Sequence, residues 1–290
     1  MADILITGGA GNFGRSLAES LHRQGHSLRI FDLPNCNFDI FQNWEKTQIQ
    51  IGDILDVSAL TKALPGVDLI FHLAAILPPA SEVNKERTFK VNVQGTQNVL
   101  EACASSGGKP NLVFASSVSV YGDSSGIHGL IGPDHPVNPD DWYGESKVKA
   151  EELLMASGFP LAKLRISGIV IPAFLDPPEP WPFMPKQRIE LLALGDLVRA
   201  MTALADRKEQ AFGQTLILAG GADWQVTGED YVERWGKSMD IPYEDMIFLD
   251  HPGWLNWYET RISQALLNYQ KTSMDDFFGD LNKAVQEALL

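Results

Sequence analysis

The apolar run Ile4-Leu5-Ile6 passes straight into Thr7-Gly8-Gly9-Ala10-Gly11-Asn12-Phe13-Gly14, and no other stretch of the chain constrains the fold so tightly. Gly8, Gly11 and Gly14 recur every third residue, and Phe13, Leu17 and Leu21 every fourth. The first pattern is a tight turn in which backbone can approach backbone; the second is one face of a helix over residues 12–24. A strand feeding such a turn into a helix leaves free N–H groups and a partial positive charge at the helix start, where a pyrophosphate can sit. A purely structural turn is the alternative, and the strand–turn–helix context selects phosphate cradling over it. Gly8, Gly11, Asn12, Phe13 and Gly14 are therefore candidate cofactor residues.

The pattern then repeats. Strands are expected at residues 27–31, 48–51, 67–71, 112–115 and 161–166, with helices at 56–64, 82–104 and 143–155 between them. In the long helix, Phe89, Val93 and Leu100 are expected to face the core. Short apolar strands alternating with helices specify a doubly wound parallel sheet, the Rossmann type of α/β fold. Residues 1–170 read as the nucleotide-binding domain. Residues 171–290 read mainly as a small substrate-binding lobe, with later segments returning to the sheet. That second part is less regular: residues 172–185 hold six prolines and cannot form a continuous helix. They form either a lid or a rigid surface connection. Helices are expected at 196–206, 228–238 and 273–289, and a strand at 215–218.

Composition narrows the partners. The formal net charge of −14 argues against general affinity for nucleic acid or anionic membrane. No apolar run approaches the roughly 18 residues of a membrane helix, and the N-terminus shows no signal core. Two cysteines, Cys36 and Cys103, are too few for a disulfide framework. The default location is cytoplasmic. Six scattered histidines show no metal-ligand spacing, so no metal is expected.

Asp32 ends the second strand, about 20 residues past the glycines, where a carboxylate holds ribose hydroxyls and repels a 2′-phosphate. This favours NAD over NADP. Arg15, the nearest competing cation, is expected to be solvated. Asp53 and Ile54 follow the third strand and are candidates to border the adenine; a turn carboxylate is the alternative. Leu73, Ala74 and Ala75 follow the fourth strand, and the two alanines suit close contact with a cofactor.

Tyr143-Gly-Glu-Ser-Lys147 sets a phenol and an amine four residues apart on one helix face. A free tyrosine titrates near pH 10, and bringing it to about 7 requires about 4 kcal/mol. A nearby ammonium and a cationic nicotinamide, both desolvated, can supply that. A solvated helix face is the plainer reading of the pair alone. Its place after the fifth strand supports chemistry, because strand C-termini border the ligand crevice. Ser116-Ser117, at that strand's end, offers a hydroxyl for the substrate oxygen.

Taken together, Thr7 to Gly14, Asp32, Leu73-Ala74-Ala75, Asn92-Val-Gln-Gly-Thr96, Ser116-Ser117-Val-Ser-Val-Tyr121-Gly122 and Tyr143 to Lys147 resemble the extended short-chain dehydrogenase/reductase family, in its NAD-dependent epimerase/dehydratase branch. The resemblance implies that Ser117 is the active-site hydroxyl and Tyr143 the general base or acid. It implies that Lys147 binds the nicotinamide ribose and tunes Tyr143, that Asn92 supports them, and that backbone at Ser167 to Ile169 lies near the carboxamide. Homodimers are a family-based expectation.

Two departures narrow the reaction. Dehydratases of this family carry an Asp-Glu pair where this chain has Val118 and Ser119. The stretch from 168 to 196 is also short for a nucleotide-sugar enzyme, which suggests a smaller substrate, as in uronate dehydrogenase-like relatives. Arg188 is the best candidate for an anionic substrate group, with His128, His135 and Trp181 behind it. The expected activity is oxidation of a hydroxyl-bearing carbon of a sugar-like or other small alcohol. An NAD-retaining epimerase and a non-catalytic NAD-binding module are the alternatives.

Overall fold

The computed structural model of the protein describes residues 1–206 and 208–289. Its strands are β1 (Asp3–Thr7), β2 (Ser27–Asp32), β3 (Thr47–Ile51), β4 (Leu69–His72), β5 (Asn111–Ser117), β6 (Leu161–Ile166), β7 (Gly168–Val170), β8 (Arg188–Ala193), β9 (Thr215–Leu218) and β10 (Gln225–Thr227). Its helices are α1 (Asn12–Arg23), α2 (Val57–Ala63), α3 (Lys85–Phe89), α4 (Gly95–Ser105), α5 (Trp142–Ala156), α6 (Leu194–Asp206), α7 (Lys208–Ala211), α8 (Gly228–Met239), α9 (Arg261–Leu267) and α10 (Met274–Ala288). Seven strands form one sheet in the order β3-β2-β1-β4-β5-β6-β9. Every neighbouring pair in it runs parallel. This is the doubly wound α/β architecture that the alternation specifies.

Strand alternation sorts the helices between the two faces. Ile4 and Ile6 point to one face and join Leu17 and Leu21 of α1 and Leu197, Met201 and Leu204 of α6. Leu5 points to the other and joins Leu60 of α2, Val99 and Cys103 of α4, and Ala150 and Leu154 of α5. Strands covered on both faces read as continuous apolar runs, which is why Ile4-Leu5-Ile6 shows no polar alternation. Among the described residues no helix is long and apolar enough to cross a membrane.

A second, aromatic core lies beyond the sheet, where Trp181, Phe183, Trp224, Tyr231, Trp235, Tyr258, Phe277 and Phe278 pack together. Beside it β10, β8 and β7 form a small sheet, with β10 antiparallel to β8. The sequence expectation omitted β7, β8, β10 and α9. The proline-containing segment 172–185 has no helix or regular strand, yet its end is anchored by buried Trp181 and Phe183.

The helix expected over 82–104 is interrupted. A π-helical turn at Lys90–Gln94 separates α3 from α4. Phe89, Val93 and Leu100 are only half-buried, while Thr88, Asn92, Thr96 and Val99 form the buried row. Its polar members hydrogen-bond inward, so the helix is turned by polar contacts rather than by its apolar side chains.

Under β5 and β6 a charge cluster is sealed from water. Glu151 lies 3.0 Å from Lys163 and accepts from Arg165 at 2.9 and 3.1 Å and from Ser116 at 2.6 Å. Arg165 also donates to the Tyr121 hydroxyl at 3.0 Å and the Pro133 carbonyl at 2.9 Å. Burial alone would raise the Glu151 carboxyl, but the bonds and charge of Arg165 outweigh it and hold the group below its ordinary value. Glu151→Ala would strand two buried cations, and a loss of about 3–5 kcal/mol in urea unfolding at neutral pH is expected. A folded-state value below the unfolded one means the stabilisation is present above the ordinary carboxylate range and is lost as pH falls through the folded value. The gap between wild type and variant should therefore narrow in acid.

Candidate active site

The glycine loop leaves β1 with Gly8 at φ +73, and a Cβ added there would lie 2.8 Å from the Ala74 nitrogen. A Cβ on Gly14 would collide with the Gly8 carbonyl. These glycines let the loop lie against the segment after β4 and let α1 start directly beneath it. Gly11 occupies the cap position of α1 and supplies no side-chain cap. By contrast α2, α5, α8 and α10 are all capped by side chains. The amides of the first turn, at Asn12, Phe13 and Gly14, are thus left without a side-chain cap. Asp32 is locked beside the loop: its two carboxylate oxygens accept from the Ala10 and Leu33 amides, both at 2.9 Å. Each oxygen keeps a lone pair for a hydroxyl.

Arg15 is less solvated than expected, and Asp53 has the geometry of a turn carboxylate. Arg15 is folded onto the loop after β2, donating to the Asn37 carbonyl at 3.0 Å, with its Nε buried and without a hydrogen-bond partner. Asp53 is exposed and turns the chain into α2 by accepting from the Leu55 amide at 2.9 Å. Ile54 is a core residue, tucked against Gly95, and its carbonyl accepts from Asn98 at 3.1 Å. Leu73, Ala74 and Ala75 are half-buried, beside the glycine loop.

Tyr143 and Lys147 meet at the end of β5, each less than a tenth exposed. Lys147 Nζ donates to the Ala115 carbonyl at 2.8 Å and lies 5.5 Å from the centre of the Tyr143 ring. The Ser117 side chain lies beside the Tyr143 phenol and favours its charged form. Ser117 Oγ also accepts from the Ser119 amide at 3.1 Å and the Ser119 hydroxyl at 2.9 Å, which leaves its own proton free to donate. Burial raises the Tyr143 phenol well above its ordinary value, the Asp141 charge adds to this, and the nearby Ser117 hydroxyl opposes it. Burial lowers the Lys147 amine to about 7, against the upward pull of Glu151.

Helix α5 is held at its start by groups that sequence reasoning missed. Asp141 caps it by accepting from the Gly144 amide at 2.6 Å. Glu82, from a distant segment, accepts from the Trp142 and Tyr143 amides, both at 3.0 Å. Lys85 pairs with Glu145 at 2.8 Å. Asn92 donates to Ser146 Oγ at 2.9 Å, and Ser146 donates to the Tyr143 carbonyl at 2.7 Å. Asn92 also grips Ile76 twice, through its amide at 2.8 Å and its carbonyl at 3.1 Å. Asp141 was legible as a capping residue just before the helix. Glu82 left no local signal.

The remaining candidates divide. Ser167 is buried and donates to the Glu190 carbonyl, while Ile169 is 42% exposed where the chain leaves the sheet edge. Arg188 is already engaged: its guanidinium stacks 4.4 Å from the Trp257 ring centre and donates to the His128 carbonyl at 2.6 Å. His135 meets the Tyr121 ring edge-on at 5.8 Å, and Trp181 packs in the aromatic core. Among the described residues no group of three or more His, Cys, Asp or Glu side chains is placed to hold a metal.

Comparison with known proteins places this geometry. Residues 5–163, just over half of the chain, match the model of the 3-beta hydroxysteroid dehydrogenase/isomerase family. A 3beta-hydroxysteroid-dehydrogenase/decarboxylase of Arabidopsis thaliana is 36% identical over 52% of this chain and 28% of its own length. The human sterol-4-alpha-carboxylate 3-dehydrogenase is 32% identical over 53% of this chain and 40% of its own length. The chain thus spans well under two thirds of these relatives. Over its whole length the fold superposes on a UDP-glucuronic acid 4-epimerase of Bacillus cereus, crystallised with UDP-glucuronic acid and NAD, with TM-score 0.83, 22% identity and 99% of each chain covered. A short-chain dehydrogenase/reductase superfamily protein of Agrobacterium tumefaciens, solved with bound NAD, gives TM-score 0.78 and 24% identity over 99% of this chain and 98% of that one. With the glycine loop, Ser117, Tyr143 and Lys147 all inside the matched segment, the chain belongs to the 3-beta hydroxysteroid dehydrogenase/isomerase family.

Proposed function

We propose that the protein is an NAD-dependent oxidoreductase that acts on a hydroxyl-bearing carbon of a sugar-like or other small alcohol, with Tyr143 as general base. The observation that carries this reading is the burial of a phenol, a hydroxyl and an amine together at the end of β5, one strand from the β4 segment that lies against the glycine loop. The uncapped start of α1 and the Gly8–Ala74 approach fit a dinucleotide: amides of Gly11 to Gly14 for the pyrophosphate, Asp32 for the adenosine ribose, and Ala74 and Ala75 along its length. Asn92, Lys147, Ser167 and Ile169 would serve its nicotinamide half. Bound NAD supplies the hydride acceptor and a fixed positive charge.

The chain's own residues manage the proton. Ser117 donates its free proton to the substrate oxygen and holds it beside the phenol. Tyr143 takes the hydroxyl proton as the carbon is oxidised. In the protein alone burial keeps that phenol neutral, so the base form depends on positive charge nearby. Lys147 is the cation the chain provides, positioned by the Ala115 carbonyl. The chain's relatives and neighbours favour a dehydrogenase and an epimerase respectively; a dehydrogenase exchanges NAD and accumulates NADH, whereas an epimerase keeps it.

A second substrate reading has an observation of its own. The segments leaving the sheet edge after β4 and β7 expose Leu77, Val83, Ile169, Ile171, Phe174 and Leu175, each more than a third accessible. Arg188, the sequence candidate for an anionic group, is stacked and bonded. Exposed apolar side chains on these segments, with Arg188 already engaged, suit an alcohol with an apolar body, in line with the sterol-directed names of the relatives.

NAD reduction screened over sugars, uronic acids, sugar nucleotides and sterols tests the proposal directly. With the substrate so found, Tyr143→Phe should lower turnover by about a hundredfold or more while NAD binding is retained; unchanged turnover would sink the assignment. Calorimetric titration should find NAD bound more tightly than NADP, and the reverse order would overturn the role of Asp32. A pH series tests the buried amine. Lys147 falls from 10.5 to about 7 on folding, so between those values the folded state binds fewer protons than the unfolded. Wild-type stability relative to Lys147→Met should therefore rise with pH across that window, by at most about 1.4 kcal/mol per unit. A flat difference in urea unfolding would mean that the amine is solvated.

A further inference from the structure

His72 ends β4 beneath the site and is 2% exposed. One ring nitrogen, Nδ1, lies 2.8 Å from Thr7 Oγ1, in the residue that precedes the glycine loop. The other, Nε2, lies 3.0 Å from Thr96 Oγ1 on α4. Thr96 Oγ1 in turn donates to the Asn92 carbonyl at 2.6 Å.

Counting protons orients the whole chain. A carbonyl only accepts, so the single hydroxyl proton of Thr96 is committed to Asn92. Thr96 Oγ1 must then accept from His72, which puts the ring proton on Nε2. Nδ1 of a neutral ring is left as an acceptor, and Thr7 donates to it. The direction runs one way: Thr7 to His72, His72 to Thr96, Thr96 to Asn92. Burial, aided by the Lys147 charge, lowers the imidazole to about 3 and keeps it neutral.

The hydrogen-bond chain ends on the π-helical turn at Lys90–Gln94, an irregularity frequent at functional sites. There the Asn92 side chain grips Ile76 and reaches Ser146, whose hydroxyl holds the Tyr143 carbonyl. We propose that His72 is a positioning residue, a neutral imidazole linking the foot of the glycine loop to the π turn, and so setting Asn92 and, through Ser146, helix α5. Thr96 is its obligatory partner. This rests on Tyr143 being the base, although the tautomer itself does not.

The test has two arms. Nitrogen-15 NMR of histidine-labelled protein, with the resonance assigned by His72→Phe or, if that variant does not fold, by its coupling to Thr96→Val, should show the neutral Nε2–H tautomer. It should stay neutral where an ordinary histidine titrates, about pH 6 to 7. The Nδ1–H tautomer, or titration in that range, overturns the proposal whether or not any substrate is turned over. In the NAD-reduction assay Thr96→Val should lower kcat about tenfold to a hundredfold with KM little changed, as a small misplacement of a catalytic group does. Thr96→Ser, which keeps the hydroxyl, should restore it. His72→Phe combined with Thr96→Val should be no worse than the poorer single variant. Wild-type kcat in Thr96→Val, or no rescue by serine, overturns the positioning role. Absence of activity in the wild type strikes the proposed function and leaves the tautomer result standing.

Discussion

An amine buried without a carboxylate of its own is the constraint around which the site is built. Lys147 is 3% exposed and its Nζ has the Ala115 carbonyl as its hydrogen-bond partner. Glu151 lies one turn along the same helix, but its oxygens are taken by Arg165, Lys163 and Ser116. Desolvating a cation in this way costs several kcal/mol, which the packing of the parallel sheet must offset. The result is an amine near neutrality and a phenol pushed the other way, two groups whose charge is decided by whatever binds beside them. A solvated pair would have ordinary values and no such sensitivity.

The same constraint explains why α5 is a misleading helix to read by amphipathicity. Its buried residues include Tyr143, Ser146, Lys147 and Glu151 as well as Ala150 and Leu154. Polar groups occupy the inward face because each has a named partner there, and helix burial is set by those partners as much as by apolar area. The segment at 85–105 behaves alike: Thr88, Asn92 and Thr96 face inward and the apolar Phe89, Val93 and Leu100 are left half-buried. In both segments the departure from amphipathic patterning follows the hydrogen bonds of the buried polar groups.

What could be read from the sequence follows from range. The glycine spacing, the apolar strands and the Tyr143–Lys147 interval are local patterns, and the structure realises each of them. Asp32 was legible because its distance from the glycines is set by one helix and one strand. Glu82 was not, because its bonds to the Trp142 and Tyr143 amides join residues some 60 positions apart. The His72 chain escaped for the same reason. Strands β7, β8 and β10 are short, and β8 lacks the turn signals that would separate it from the helix it feeds. Arg188 and Trp181 show a different limit: a guanidinium on an aromatic ring and an indole among phenyl rings have the composition of a ligand site and of a core alike.

The division between the two cores has a chemical consequence. Ser117, Tyr143 and Lys147 sit on β5 and α5, inside the segment that matches the family, and are fixed by the sheet and by hydrogen bonds that cross it. The aromatic core beyond residue 170 contributes none of them; it anchors the proline-containing segment through Trp181 and Phe183. Among the described residues, the hydrogen bonds of Ser117 and Lys147 do not involve the aromatic side chains of that second core. The exposed apolar residues between Ile169 and Leu175 lie on the junction, fixed at one end by the pairing of β7 with β8 and at the other by the aromatic core.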